Sequence, residues 1–356
     1  MSTDTTADTV AGTAAKTAAK TAAETVANTA PETHEAAVAE ATTGEEIDLV
    51  GDDGTRSYAL RWLPSGPARG IVALAHGMGE HIRRYETVAR ALTTAGYAVY
   101  GKDHRGHGRT AGPDHLGDVG VDGWNLNLGD MRTLIELARS AHPGAPTILL
   151  GHSMGAMLSQ QFIYRYGYLL DGIALSGSPG FAHPVLSLIP RVLALFERWR
   201  HGHAGESELL QDTLFGKSNE PFDEPDATGF EWLSRDPAEV QKYVDDPECG
   251  FVLRAGSLVE LFSGAREATR RGNLATIPKT LPIYVFSGAE DPVHGEQANL
   301  NRMVSAYRSY GLNLDLKVYP GGRHELFNET NQDEVLTDLT AWLDQVVAGA
   351  VRTPAG

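Results

Sequence analysis

The sequence predicts an α/β chain with one mostly parallel sheet of about eight strands and helices on both faces. Three observations carry this. From Glu46 onward, short β-branched or apolar runs alternate with longer helical patterns. Alternation at that spacing builds βαβ units, hence parallel strands with helices packed on either side. The alternation breaks between about 180 and 270 and then resumes, as it does when a helical insertion sits between two strands. Finally, 356 residues at 42% hydrophobic and 21% charged leave ample apolar material for a core of this size.

Residues 1–45 stand apart from this pattern. They are dominated by Ala, Thr and Glu, with no aromatic residue and no leucine, and Thr-Ala-Ala-Lys recurs at 13–16 and 17–20. Such a segment buries too little surface to offset its ordering entropy, so a disordered tail is expected. Strands at 46–50 and 57–63 flank Gly51-Asp52-Asp53-Gly54 and read as an antiparallel hairpin leading into the sheet. Further strands are expected at 71–75, 97–102, 146–150, 172–176, 282–287 and 314–319. Helical patterns fall at 84–95, 124–141, 154–167, 296–310 and 332–348. Within the insertion, Leu188, Val192, Leu195 and Trp199 recur at helical spacing. The predicted organisation is a tail (1–45), a core (46–179 and 271–348) and a helical cap (180–270). A cap over the carboxyl edge of a parallel sheet sits where ligands bind.

Composition excludes several classes. Thirty Lys and Arg against 46 Asp and Glu give a net charge of −16, the wrong sign for a generic binder of phosphate backbones, so no nucleic-acid partner is expected. A single cysteine, Cys249, permits no intrachain disulfide and no Cys-rich zinc module. No apolar run is long enough to span a bilayer or to act as a secretory signal, which makes a cytoplasmic location the expectation.

The strongest chemical signal is Gly151-His152-Ser153-Met154-Gly155. The motif by itself is common, but here a strand enters it and a helix leaves it. A sharp turn between the two would raise the serine hydroxyl above the sheet. Serine needs a base, and in this architecture the partners follow in the order serine, acid, histidine, each after a later strand. The strand at 282–287 leads to Asp291, with Glu290 as a rival acid, and the strand at 314–319 leads to His324. His324 would take and return the proton while Asp291 orients its ring. Two backbone N–H groups should hold the oxyanion. Met154 directly follows the nucleophile, and Met78 lies in the Gly-rich loop His76-Gly77-Met78-Gly79-Glu80-His81. This chemistry calls for no cofactor and no metal.

Together, the His76–His81 loop, Asp103-His104-Arg105-Gly106-His107-Gly108, the serine motif, Gly288-Ala289-Glu290-Asp291-Pro292 and Gly321-Gly322-Arg323-His324 resemble the monoacylglycerol lipase/lysophospholipase group of α/β-hydrolases. The resemblance covers about residues 45–348. It implies a serine esterase acting on single-chain lipid esters, with a helical cap over the site. It also implies that Glu80 and Arg84 help hold a glycerol head group, and that the 103–108 segment is structural. The sequence departs from the group at Phe327, where several members carry a second histidine; a phenyl ring offers no hydrogen bond to an alcohol. The apolar residues Leu188, Val192 and Leu195 of the cap are expected to meet an acyl chain and, transiently, a lipid surface. Two other readings remain open: a small-ester, thioester or aminoacyl-peptide hydrolase with the same triad, and a non-catalytic binding protein on the same fold. The weaker signals point elsewhere. Gly106-His107-Gly108 and the residues after it fit a loose dinucleotide pattern without the helix it requires. His104 with His107, and His201 with His203, lack a third metal ligand at a recognisable spacing. Cys249 reads as a buried, inert thiol.

Overall fold

A computed structural model describes residues 43–184, 187–295 and 297–351; most of the expected tail, residues 1–42, lies outside them. Eight strands form one sheet. They are β1 (Glu45–Val50), β2 (Arg56–Trp62), β3 (Gly70–Ala75), β4 (Tyr97–Lys102), β5 (Thr147–His152), β6 (Gly172–Ser176), β7 (Ile283–Gly288) and β8 (Leu314–Tyr319). Their spatial order is β1-β2-β4-β3-β5-β6-β7-β8. The hairpin β1–β2 is antiparallel, with Ile47 opposite Ala59, and β2 meets β4 antiparallel. From β4 to β8 every pairing is parallel.

The alternation of side chains along each strand divides the core between two faces. Ala73, Ala75 and Leu149 point to one side. There they pack with Leu128 and Met131 of α2 (α1, Glu86–Thr94; α2, Gly123–Ala141) and with Leu158 and Phe162 of α3 (Met154–Tyr166). Val72, Leu74, Ile148 and Leu150 point to the other side, where α1 supplies Val88 and Leu92, and the C-terminal helix supplies Leu339 and Leu343. The helix expected to start at 84 opens instead with a 3-10 turn, Ile82–Tyr85, before α1. That turn buries Ile82 and Tyr85 under the His76–His81 loop.

Between β6 and β7 the chain leaves the sheet. This stretch holds α4 (Leu188–His201), α5 (Glu208–Phe215), α6 (Pro237–Asp245), α7 (Ala255–Ala268) and α8 (Arg271–Thr276). Ser207 caps α5 by accepting from the Leu210 N–H, and Asp236 caps α6 by accepting from the Ala238 N–H. The helix α7 is not peripheral: Leu258 and Leu261 join the same apolar cluster as the sheet face and α3. A second, smaller cluster gathers Trp232, Leu233 and Tyr243, with Phe215, Phe222 and Phe230 around them. The last two helices are α9 (Ala298–Ser309) and α10 (Gln332–Val351).

Candidate active site

Ser153 sits at the turn between β5 and α3. Its backbone (φ 51°, ψ −114°) is one of three non-glycine positive-φ conformations among the described residues. A serine in that region is strained and is held only because its surroundings dictate it. The surroundings are tight: a Cβ on Gly155 would lie 2.0 Å from the Ala75 carbonyl oxygen, so only glycine lets α3 approach β3 here. Met154 is the first residue of α3, and its N–H therefore has no acceptor within the helix. The positive end of the helix dipole lies at the same place.

The ends of β7 and β8 bring the partners in. A Cβ on Gly288 would meet the Gly322 carbonyl oxygen at 2.0 Å, so this close crossing of the two loops also depends on glycine. Across it, His324 Nδ1 lies 2.9 Å from Asp291 Oδ2, and His324 Nε2 lies 2.9 Å from Ser153 Oγ. Asp291 also accepts from the Val293 N–H at 2.9 Å and from the Ser287 hydroxyl at 3.3 Å. Glu290, the rival acid, has its N–H bonded to the Gly322 carbonyl and no side-chain bond to His324. Burial works against charge on both partners, and their mutual attraction outweighs it. Asp291 is held below the usual carboxylate range, and His324 is raised above the usual imidazole value.

Two aromatic rings pack against His324. His152 lies 4.8 Å away between centroids and Trp232 lies 5.1 Å away. His152 is wholly buried; desolvation, reinforced by the neighbouring His324, pushes its pKa down to about 3, so it is neutral. Trp232 comes from the segment between β6 and β7. That segment is tied to the histidine loop at residues 231–235. The Trp232 and Leu233 carbonyls accept from the His324 and Glu325 N–H groups, and the Arg323 guanidinium donates to the Glu231 and Ser234 carbonyls.

Beside the serine lies a buried ion network. The Arg84 guanidinium donates twice to Glu325, at 2.7 and 2.7 Å, and once to Glu80 at 2.8 Å. Glu80 also accepts from the Gly77 N–H, which shapes the loop carrying Met78, and from the Tyr85 hydroxyl. Burial alone would raise both carboxyls. Arg84 overcomes it at Glu325, which falls to about 2, whereas burial prevails at Glu80, which is raised. Tyr243 covers the guanidinium, 4.8 Å from ring centroid to Cζ. Phe327, 5% exposed, packs against Tyr85 and Phe286 and helps line a cavity of about 10 Å³ with Glu80, Arg84, His152 and Glu325. That is room for about one water.

The sequence-predicted residues thus fall into three groups. Ser153, Asp291 and His324 are brought together. Glu80 and Arg84 meet each other first, and Phe327 is a core residue at their edge. Of the three apolar residues expected to meet an acyl chain, Leu188 and Val192 are exposed, and Leu195, one turn further along α4, is half-buried against the main core. Ile189 and Phe196 complete the exposed face. Two contributors escaped sequence reasoning. Glu325 adjoins the histidine, but nothing local indicates its distant arginine. His76 Nε2 accepts from the His104 N–H while its Nδ1–H donates to the Gly77 carbonyl, so a buried neutral imidazole braces the loop that carries Met78. Among the described residues one group could offer three metal ligands, His81, Asp246 and Cys249, with ligand atoms within 4.8 Å of one another. His81 and Asp246 already bond each other at 2.8 Å, and burial raises the Cys249 thiol, keeping it protonated. His203 faces Asp118 and Glu260 at 3.6 and 3.7 Å.

Comparison with known proteins agrees with this geometry. The family described as Serine aminopeptidase, S33 (Hydrolase_4) matches residues 66–331. A monoacylglycerol lipase of Mycolicibacterium smegmatis is 33% identical over 311 residues, covering 85% of this chain and 98% of the relative. The human monoglyceride lipase is 27% identical over 304 residues, covering 85% and 91%. A thermostable carboxyl esterase from Bacillus coagulans, solved in complex with glycerol, superposes with a TM-score of 0.78 at 28% identity, covering 86% and 99%. The chain belongs to the serine aminopeptidase S33 family of α/β-hydrolases, on its monoacylglycerol lipase-like branch, and is a carboxylic ester hydrolase.

Proposed function

We propose that the protein hydrolyses esters of a single acyl chain, monoacylglycerols first among them, through an acyl-enzyme on Ser153. The observation that carries this reading is the unbroken relay Ser153 Oγ–His324 Nε2, His324 Nδ1–Asp291 Oδ2, each link 2.9 Å, built on a strained serine at a helix N-terminus. His324 accepts the hydroxyl proton as Oγ attacks the ester carbonyl. Asp291 holds the Nδ1–H tautomer and stabilises the imidazolium. The Met78 and Met154 N–H groups receive the oxyanion. His324 then protonates the departing alkoxide, the alcohol leaves, and a water deprotonated by the same imidazole releases the fatty acid.

The chain-type substrate is supported by the monoacylglycerol lipase relatives and by α4. Leu188, Ile189, Val192, Leu193 and Phe196 line an apolar groove of about 520 Å³, and Trp199 stands 80% exposed beside it. Arg198, Arg200 and His201 occupy the last turn of the same helix. An apolar stripe edged by Arg198, with Arg200 paired to Glu197 beside it, suits transient contact with a lipid surface.

The test is a turnover panel with Ser153→Ala as control. It compares monoacylglycerols, lysophosphatidylcholine and p-nitrophenyl esters across acyl lengths. The reading expects kcat/KM to peak on medium or long monoacylglycerols and to vanish in the variant. Turnover of short activated esters alone would keep the triad and replace the substrate, and Phe327 at the alcohol side would then be the first residue to exchange.

A further inference from the structure

The geometry points to Trp232 as a positioning residue for His324, so that the segment between β6 and β7 completes the catalytic base as well as covering the site. This rests on the reading of His324 as general base.

One side-chain contact argues for it, and two backbone bonds fix the segment that presents the ring. The indole packs 5.1 Å from the imidazole at an interplanar angle of 38°. The Trp232 carbonyl accepts the N–H of His324 itself at 3.3 Å, and the next carbonyl, Leu233, accepts the Glu325 N–H at 2.7 Å. Trp232 is in turn fixed from behind. Phe215 of α5 stacks on it at 5.9 Å and 23°, and the Asn219 side chain accepts its N–H at 3.0 Å. The indole is 7% exposed and belongs to the small cluster of the insertion, not to either face of the sheet. The histidine loop therefore takes its register from β8 on one side and from the insertion on the other.

The consequence is both geometric and electrostatic. Asp291 holds the imidazole at Nδ1 and His152 packs against one part of the ring, which leaves the part facing the insertion to Trp232. A ring packed against the imidazole there limits its rotation and keeps Nε2 aimed at Oγ, where about 1 Å of misplacement can cost 100-fold in rate. When the imidazolium forms in this dry site, the electron-rich indole also favours the charge.

The experiment compares Trp232→Leu and Trp232→Phe in the full chain with a soluble short-chain p-nitrophenyl ester. Leucine keeps the space apolar and excludes water while removing the ring; phenylalanine keeps a ring. We expect Trp232→Leu to lose about 10-fold or more in kcat with KM within about twofold. Its acid limb of kcat/KM should move to lower pH by about half a unit, because the imidazolium loses the indole face. Trp232→Phe should recover most of kcat and the wild-type limb. If Trp232→Leu does not fold, Trp232→Met, folded by thermal melting and likewise without a ring, takes its place, with the same expected loss of kcat and the same shift of the acid limb. Wild-type kcat and an unmoved acid limb in Trp232→Leu would overturn the proposal, as would a change confined to KM. His324→Ala separates the two ideas: an active His324→Ala enzyme sinks the general-base reading, whereas an inactive one beside a wild-type Trp232→Leu sinks only the role of Trp232.

Discussion

His152 and His324 pack ring against ring at 4.8 Å, both are buried, and their protonation is driven in opposite directions. The difference is Asp291. His152 has no carboxylate bonded to it and its Nδ1 has no hydrogen-bond partner, so desolvation takes its pKa down to about 3. His324 bears the same penalty, but the Asp291 carboxylate at Nδ1 raises it above the ordinary histidine value. One imidazole is thereby held neutral and its neighbour is made more basic.

Asp291→Asn tests that difference. With His324 as the general base proposed above, activity needs its neutral form, so kcat/KM of the wild type should fall as pH drops through a pKa above the ordinary histidine value. Removing the carboxylate removes what raises the imidazole. The acid limb should move to lower pH, and kcat should drop roughly 10³- to 10⁴-fold because the tautomer is no longer fixed. A pH–rate profile of both proteins reads the two effects separately; an unmoved limb would deny Asp291 its role.

The Arg84 network predicts a large stability effect from one residue. Arg84→Ala leaves Glu80 and Glu325 buried and facing each other without their cation. The expected cost is about 3–5 kcal/mol, the range for breaking a buried pair on one side. Glu325→Gln keeps a hydrogen-bond acceptor for Arg84 and should cost less. Urea midpoints at constant slope decide the order, and equal losses would contradict it.

Gly155→Ala should be costly where a surface glycine is not. Its new methyl would enter the Ala75 carbonyl, and backbone on both sides resists the shift. Overpacking of this kind costs about 1–3 kcal/mol or more. Gly66→Ala, with nothing within 4 Å of the added carbon, serves as the comparison and should stay within about 0.5 kcal/mol of wild type.

The exposed face of α4 makes a prediction about substrate presentation. Val192→Asp and Ile189→Asp place charge in the apolar groove at positions 61% and 60% exposed, so the fold should tolerate them. Turnover of long-chain monoacylglycerol dispersed in anionic vesicles should fall several-fold, while a soluble butyrate ester is cleaved as before. Parallel losses on both substrates would place the defect in the catalytic machinery instead of at the lipid surface.

Much of this was legible in the sequence because parallel strands announce themselves. Each central strand is buried on both faces and reads as a short apolar run, and the residues that follow it lie at the carboxyl edge by topology alone. Ser153, Asp291 and His324 could therefore be named from their places after β5, β7 and β8. What the sequence concealed depends on contacts between distant segments. Glu325, after β8, meets Arg84, in the turn after β3, and neither residue carries a local signature of the other. Trp232 lies in a single 3-10 turn, Glu231–Leu233, too short for any periodicity to show that its ring meets His324. Leu195 shares the helical spacing of Leu188 and Val192, yet of the three only Leu195 packs against the main core, a difference along the helix that spacing does not show.

The most direct test of the central claim is to trap the covalent intermediate. The protein is incubated with a fluorophosphonate and, separately, mixed rapidly with a p-nitrophenyl ester, and the modified peptide is identified by mass spectrometry. The account predicts one adduct per chain, on Ser153, with a burst of p-nitrophenol of the same stoichiometry. It also predicts no adduct in Ser153→Ala or when His324 is replaced by alanine. Ester turnover without any adduct, or an adduct on another residue with Ser153→Ala still active, would contradict it.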